Sequence, residues 1–176
     1  MRVNLSEVMA VVGQTKHTQV PIELTQVSLC GEVYDICEKR EASLTLTCTG
    51  ERKISIECDA HVVVVVSCSR CLKDVEVPFE INFKKEFNFS EYREQDVEEL
   101  KEVEYIEEYD LNVDTLILEE ILLQFPMQTL CSDDCKGICG ICGVNLNQKS
   151  CKCNEQGRDP RMLAIQDIFK NFGQTD

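Results

Sequence analysis

Three long runs of alternating apolar and polar side chains dominate the sequence. Even positions are apolar in residues 42–48 and 54–66, and odd positions are apolar in residues 75–89, with Lys85 as the exception. A strand with one buried face has this period of two. Pro78 favours an edge strand or a bulge in the third run. The pattern predicts three long strands joined as an antiparallel meander.

The apolar face of such a sheet needs cover, and two segments are predicted to supply it as helices. Residues 113–125 are largely apolar, with Asp110 or Asn112 as the N-cap and Pro126 as the stop. Residues 159–173 begin with Asp-Pro, end with Gly and carry apolar residues at helical spacing. The predicted fold class is α+β: an antiparallel β-meander sheet covered by helices.

Two weaker patterns precede the meander. Residues 4–12 combine a helix-start motif with apolar residues at helical spacing, which predicts a short helix. Residues 20–24 alternate between apolar and polar side chains, which predicts a strand.

The length of 176 residues fits one compact core with a small appendage. We expect an α+β core domain over 1–130, a Cys-rich segment over 131–158, and a helix over 159–173 that packs back on the core. The net charge of −14 comes from 32 acidic and 18 basic residues, and residues 91–110 hold ten acids and two bases. This acidic segment is interpreted either as a solvated loop or as a surface for a basic partner.

Composition argues against several classes of protein. A general nucleic-acid binder is normally basic, whereas this chain is strongly acidic. No apolar run reaches the roughly 20 residues of a membrane-spanning helix. The N-terminal residues become polar too early for a secretory signal. Twelve cysteines without such a signal indicate metal ligation in a reducing compartment, so we expect a cytoplasmic protein.

Eight of the twelve cysteines form four closely spaced pairs, and such spacing is typical of zinc ligands. Four pairs supply two tetrahedral four-cysteine sites, so we expect about two Zn²⁺ ions per chain, held in zinc clips near the C-terminus. Cys48 and Cys58 are expected to be small buried residues of the strands, and Cys30 and Cys37 to be structural. The predicted metal ligands are Cys68, Cys71, Cys131, Cys135, Cys139, Cys142, Cys151 and Cys153.

The four pairs can combine in two ways. The favoured pairing joins 139/142 to 151/153 across a short loop, which costs little closure entropy, and leaves 68/71 for 131/135. The rival pairing joins 131/135 to 139/142 and leaves two pairs without a partner. Basic residues in or beside the cysteine segments either neutralise the thiolates or form a local partner-binding face. These candidates are Arg70, Lys73, Lys136, Lys149, Lys152, Arg158 and Arg161.

No known catalytic motif is present in the sequence. The two histidines do not lie in a zinc-protease or deaminase motif, and there is no phosphate loop, dinucleotide fingerprint or nucleophile elbow. Sites made only of cysteine are typical of closed structural zinc rather than catalytic zinc. We therefore expect a protein that is not an enzyme and has no small-molecule substrate.

The cysteine motifs resemble those of the YceD family, which is known for the accumulation of large-subunit ribosomal RNA. The similar segments are Cys68–Leu72, Lys136–Leu146 and Asp159–Arg161, and the resemblance spans most of the chain. It implies a cytoplasmic accessory factor in the synthesis, processing or assembly of large-subunit rRNA, without an established catalytic activity.

Two functional hypotheses follow. The first is a non-enzymatic factor for large-subunit (23S) rRNA accumulation that binds the rRNA precursor or a basic ribosomal protein. The alternative is a thiol/zinc redox-regulated chaperone, in which oxidation releases zinc and exposes apolar surface. The sequence leaves open whether the direct partner is RNA or protein, and which assembly step is involved.

Overall fold

The computed structural model describes residues 1–89, 105–107 and 109–153. The chain divides into two compact units, a first unit of residues 1–66 and 76–127 and a second unit of residues 67–75 and 128–176. The hairpin residues 67–75 lie inside the predicted core range, but they group with the Cys-rich residues. The predicted helix over 159–173 and most of the acidic segment lie outside the described residues, and the packing of that helix on the core remains a prediction.

The larger sheet follows from the alternation described above. Its strands are β2 (Thr15–Val20), β3 (Gln26–Leu29), β4 (Glu32–Lys39), β5 (Ala42–Gly50), β6 (Lys53–Ser67) and β7 (Asp74–Asn88). β5 pairs with the first half of β6, β4 pairs with its second half, and β7 also pairs with β6. Every strand pairing whose register is described is antiparallel.

The predicted apolar parity of the three long strands is confirmed. All even positions from 42 to 48 and from 54 to 66 are buried, and Cys48 and Cys58 lie among them. On β7, the odd positions point to the same core, with Phe79, Ile81 and Phe87 buried. The core of the first unit therefore lies on the apolar faces of β5, β6 and β7.

A smaller sheet and two helices complete the described part of the first unit. These elements are β1 (Arg2–Asn4), α1 (Ser6–Met9), β8 (Ile106–Glu107), β9 (Asp110–Asn112) and α2 (Val113–Gln124). The sheet has the order β1-β9-β8, and Tyr105, just before β8, is buried against Phe87. Tyr109 stacks on Phe89, so two aromatic residues of the acidic segment pack against β7 and the residue that follows it.

Helix α2 has the predicted cap, and only one of its sides is buried in the core. The Asn112 side chain accepts a hydrogen bond from the Thr115 N–H group, so Asn112 rather than Asp110 is the N-cap. One side of the helix joins the core through Leu116, Ile117 and Ile121, whereas Leu123 is 77% exposed. The predicted antiparallel sheet is present and dominates the described residues. The predicted cover of that sheet by helices is not confirmed.

Of the two expectations about the N-terminal third, the strand over 20–24 is wrong, and the short helix is confirmed but covers less of the chain than predicted. Strand β2 ends at Val20 instead of covering 20–24, because Pro21 has no N–H group for the ladder. Helix α1 covers only four residues, and Val12 is 65% exposed rather than part of an apolar stripe. The β3–β4 hairpin was not predicted; its two-residue turn, Cys30-Gly31, has positive φ angles of 52° and 86°.

Candidate metal centres

Two cysteine turns of the same backbone geometry supply half of the candidate ligands. In the first turn (residues 68–73), the Leu72 N–H group donates to the Cys68 carbonyl at 2.9 Å, and Cys68 N–H donates to the Lys73 carbonyl at 2.8 Å. In the second turn (residues 139–144), the Gly143 N–H group donates to the Cys139 carbonyl, and the Cys139 N–H group donates to the Val144 carbonyl, both at 2.8 Å. Each turn thus presents two cysteine side chains from one short, hydrogen-bonded loop.

The fifth position of each turn has left-handed backbone geometry. Gly143 has a φ of 71° and Leu72 a φ of 60°. Glycine adopts this region without steric cost, whereas leucine does so at a cost of roughly 1–2 kcal/mol. The two turns are therefore equivalent in conformation but differ in the residue that occupies the strained position.

The first cluster consists of Cys68, Cys71, Cys131 and Cys135, whose sulfur atoms all lie within 4.8 Å of one another. The Cys68 and Cys135 sulfurs are 3.8 Å apart, and those of Cys71 and Cys131 are 3.5 Å apart. A tetrahedral Zn²⁺ with bonds of about 2.3 Å to sulfur sets neighbouring sulfurs roughly 3.8 Å apart. A disulfide needs about 2.05 Å. The first cluster thus has the donors and spacing of a four-thiolate metal site.

Backbone contacts hold the two halves of the first cluster together. The Ser69 N–H group donates to the Thr129 carbonyl at 2.8 Å, and the Ile138 N–H group donates to the Arg70 carbonyl at 3.1 Å. The Arg70 guanidinium also donates to the Cys135 carbonyl at 3.0 Å. These bonds fix residues 67–75 against residues 128–138 within the second unit, so the cluster does not depend on the sulfurs alone.

Hydrogen bonds also adjust the ionisation of the first cluster. Burial opposes ionisation of Cys68, but N–H groups of Arg70, Cys71 and Cys131 outweigh it and lower the pKa of this thiol to about 6. Hydrogen bonds with Cys71 and Cys135 raise the pKa of Cys131 to about 12. The cluster therefore carries thiolate and shared protons near neutral pH, and a metal ion would displace those protons.

The second cluster consists of Cys139, Cys142, Cys151 and Cys153, whose sulfurs also lie within 4.8 Å of one another. Backbone N–H groups of Cys142 and Ile141 lower the pKa of Cys139 to about 6, and a hydrogen bond with Cys142 raises the pKa of Cys153 to about 12. Cys142 is exposed and Cys151 and Cys153 are half-buried, whereas three cysteines of the first cluster are buried. The second cluster is therefore the more accessible of the two.

Asn147 connects the loop of the second cluster to a sulfur of the first. Its side-chain Nδ2 donates to Cys135 Sγ at 3.3 Å, and its Oδ1 accepts from the Lys136 N–H group at 2.8 Å. Burial opposes ionisation of Cys135, yet hydrogen bonds from Asn147 and from the Gly137 N–H group lower the pKa of its thiol. Asn145 in turn accepts from the Asn147 N–H group at 2.9 Å and holds the loop in an Asx turn.

Gly137 allows the close approach of two segments around the first cluster. It has a φ of 76°, and a Cβ atom at this position would lie 3.0 Å from the Arg70 carbonyl oxygen. Its own carbonyl accepts from the Leu146 N–H group at 2.9 Å. Any side chain here would push the cysteine turn of residues 68–73 away from residues 135–138.

The structure thus brings the eight predicted ligands together in the two groups of the favoured pairing, and each group could hold a metal ion. The other four cysteines belong to neither group. Cys48 and Cys58 are buried in the first unit, and burial raises the pKa of Cys58 to about 12, which makes it unreactive. Cys30 and Cys37 are exposed.

Five of the seven predicted basic residues can be placed, and all five are exposed on the second unit. Arg70 bonds to Cys135 as described above. None of the four lysines forms an ion pair with a described residue; they are Lys73, Lys136, Lys149 and Lys152. Arg158 and Arg161 lie outside the described residues.

Sequence reasoning missed Asn147, Gly137 and Leu72. An alignment of the two C-x-x-C turns with each other would have shown leucine at a glycine position. The roles of Asn147 and Gly137 leave no such signal, because both residues are common in ordinary loops.

Comparison with known proteins identifies the family. Residues 56–169 match the family described as "Large ribosomal RNA subunit accumulation protein YceD". The chain is 31% identical over 125 residues to the uncharacterized protein YlbN of Bacillus subtilis, a match that covers 70% of this chain and 71% of YlbN. It is 28% identical over 105 residues to the uncharacterized protein Rv2926c of Mycobacterium tuberculosis, covering 60% of this chain and 50% of the relative.

A plant relative carries the family's name. The chain is 25% identical over 67 residues to the "Large ribosomal RNA subunit accumulation protein YCED homolog 1, chloroplastic" of Arabidopsis thaliana, covering 38% of this chain and 21% of the relative. No solved structure matches the chain. Among the described residues, no helix is long and apolar enough to cross a membrane. The family match covers more than half of the chain and includes both clusters, so this protein belongs to the YceD family.

Proposed function

We propose that this chain is a non-enzymatic cytoplasmic factor for large-subunit rRNA accumulation, and that it binds the rRNA precursor through its second unit. The family's description supports the link to large-subunit rRNA. The distribution of charge supports the choice of the second unit as the RNA-binding surface. The first unit has 25 acidic and 10 basic residues, whereas the second has 7 acidic and 8 basic residues. With a Zn²⁺ on four thiolates at each cluster, the second unit would carry a net charge of −3, against −15 for the first. Most of the charge that repels RNA therefore still belongs to the first unit.

A set of exposed lysines is the observation that carries this proposal. Lys73, Lys136, Lys149 and Lys152 lie on a unit of only 58 residues, without acidic partners among the described residues. Screening at physiological salt acts over roughly 8 Å, so the acidic first unit does not prevent these cations from making short contacts with phosphates. A chain with a net charge of −14 can thus bind RNA over a limited surface.

We further propose that the metal in both clusters is Zn²⁺. Four thiolates at tetrahedral spacing are the preferred ligands of structural zinc. Bound zinc would have a structural role: each ion would offset two of the four thiolate charges at its cluster and would cross-link the segments that bear the ligands. The first cluster ties residues 68–71 to residues 131–135, and the second closes the loop between residues 139–142 and 151–153. Both sites thereby fix the backbone that presents the lysines.

A basic ribosomal protein is the second candidate partner, and it would use a different surface. The first unit carries a net charge of −15, much of it in residues 91–110. An acidic surface of this kind attracts a basic protein before that protein is assembled on RNA. The two partners can be distinguished because they require opposite charges on different units.

The test is co-sedimentation with large-subunit precursor particles, with and without ribonuclease. One variant replaces Lys73, Lys136 and Lys149 with Gln. A matched control replaces Lys16, Lys53 and Lys84 of the first unit with Gln, which changes the net charge equally.

We expect the first variant to lose binding and the control to retain it. The slope of log affinity against log salt concentration should fall by about 0.7–0.9 for each phosphate contact removed. Equal effects of the two variants, or ribonuclease-resistant binding that requires the acids of 91–110, would contradict RNA contact through the second unit.

A further inference from the structure

Leu72 is an exposed apolar residue at a position where the backbone disfavours it. Its φ is 60° and its residue surface is 65% exposed. The equivalent position of the second cysteine turn is Gly143, with a φ of 71°. Glycine is therefore compatible with this turn, yet the first turn has a large apolar side chain in solvent.

The structure gives the Leu72 side chain no role in holding the first cluster. The turn is closed by backbone atoms, from Leu72 N–H to the Cys68 carbonyl and from Cys68 N–H to the Lys73 carbonyl. Leu72 also lies outside the buried group around the sulfurs, which contains Cys68, Cys71 and Cys135 with Val75, Leu130 and Cys131 packed against it. A residue held in a strained conformation without a packing role is a candidate for contact with a partner.

The neighbours of Leu72 indicate the chemistry of that partner. Lys73 follows directly, is exposed and forms no ion pair with a described residue. Arg70 lies two residues before it, and one guanidinium nitrogen donates to the Cys135 carbonyl, which orients the planar group; no described residue accepts a hydrogen bond from its other N–H groups. The hydrogen-bonded turn therefore carries one exposed apolar side chain, with a cation two residues before it and another directly after it.

We propose that Leu72 packs against an unstacked base of single-stranded large-subunit rRNA, while Arg70 and Lys73 contact the adjoining phosphates. This inference rests on the proposed function, because it names the RNA-contacting residue on the second unit. An apolar side chain with flanking cations suits a nucleic acid whose bases are accessible, since aliphatic wedges pack on base faces and cations bind the backbone. An acidic protein would satisfy the cations, but nothing in the described structure favours it over RNA.

The experiment compares Leu72→Gly with a matched control, Gly143→Leu, which carries leucine at the equivalent position of the other turn. A Cβ atom at residue 143 meets nothing within 4 Å, and the φ of 71° imposes on this leucine the same kind of backbone strain that Leu72 bears. Precursor particles from cells lacking this protein serve as the probe, and binding is measured by co-sedimentation over a range of salt concentrations. Metal content is measured on the same samples.

Leu72→Gly should retain its metal and weaken binding roughly tenfold, whereas Gly143→Leu should bind like the wild type. Leu72→Gly should leave the salt slope unchanged because no charge is lost, while Lys73→Gln should lower it by about 0.7. Ultraviolet crosslinking of the wild type should give RNA-linked peptides that contain residues 68–73.

Three results would overturn the inference. If Leu72→Gly binds within twofold of the wild type while the lysine variants bind weakly, the base contact is wrong and the proposed function stands. If Leu72→Gly loses metal together with binding, the residue is structural. If the turn crosslinks only to protein, the partner at this turn is not RNA. Failure of the wild type to co-sediment would reject the proposed function itself.

Discussion

Replacement of Asn147 with Ala should weaken metal binding at the first cluster, although Asn147 is not a ligand. The truncation removes the Nδ2 donor to Cys135 Sγ and the Oδ1 acceptor for the Lys136 N–H group. Both contacts position the backbone and the sulfur of one ligand. The second cluster should be affected less, because Asn147 makes no described contact with its sulfurs.

The size of the effect follows from these two contacts. A typical hydrogen bond contributes about 0.5–1.5 kcal/mol, and one to a charged group about 1.5–3 kcal/mol. Asn147 is itself exposed, so water replaces part of each lost bond. A net loss of about 1.4 kcal/mol corresponds to a tenfold weaker affinity, at the lower end of the 10–100-fold range for residues that orient metal ligands.

The assay is competition between the zinc-loaded protein and a chromogenic chelator. Wild type should release its two ions in two phases, and Asn147→Ala should release one of them at roughly tenfold lower chelator concentration. Asn4→Ala is a matched control, because it removes a side-chain bond to Asp110 in the first unit and touches no sulfur. Equal release curves for Asn147→Ala and wild type would refute the role assigned to Asn147.

Three further predictions follow from the same geometry. Gly137→Ala should lower the free energy of unfolding of the second unit by about 2 kcal/mol, because the strain of a positive φ and the clash with the Arg70 carbonyl both act there. Gly143→Ala has the backbone strain without the clash and should lower this free energy by about 1 kcal/mol, as measured by chemical unfolding. In chelator titrations, Cys68→Ser and Cys131→Ser should impair the same site, and Cys139→Ser the other; a shared site for Cys131 and Cys139 would contradict the pairing. Metal affinity should fall as the pH is lowered from 8 to 5, because protons compete with the metal ion for the thiolates, and the fall should steepen below about pH 6, where the free thiols with a pKa of about 6 also protonate. A metal affinity that is the same at pH 8 and pH 5 would contradict this.

The sequence predicts best the strands in which the burial of one face alone determines the pattern of side chains. Strands β5, β6 and β7 each have one buried face, so their period of two is clear in the sequence. The β3–β4 hairpin cannot be read from the sequence in this way, because Val33 is 61% exposed and a Cys-Gly turn is a weak hairpin signal. The alternation in residues 20–24 was misleading because Pro21 cannot donate to a ladder.

The candidate site shows the same contrast. Cysteine spacing predicts the ligands and favours the observed grouping, because a thiolate site needs four sulfurs and short loops close most easily. The contacts that position those sulfurs come from Asn147, Gly137 and the Arg70 guanidinium. Their roles depend on which segments meet around the cluster, so they follow from tertiary structure and not from local pattern.

The ratio of large- to small-subunit rRNA in cells depleted of this protein tests its proposed function most directly. The ratio should fall on depletion and recover when the wild type or Cys30→Ser is supplied, because Cys30 is outside both clusters. Cys68→Ser should restore it less well than the wild type, since loss of one ligand weakens metal binding at the first cluster and loosens the turn that carries Arg70, Leu72 and Lys73, although backbone bonds still hold that turn. An unchanged ratio on depletion, or full recovery with Cys68→Ser, would contradict the central claim, which is that the second unit, with its cysteine clusters, supports the accumulation of large-subunit rRNA.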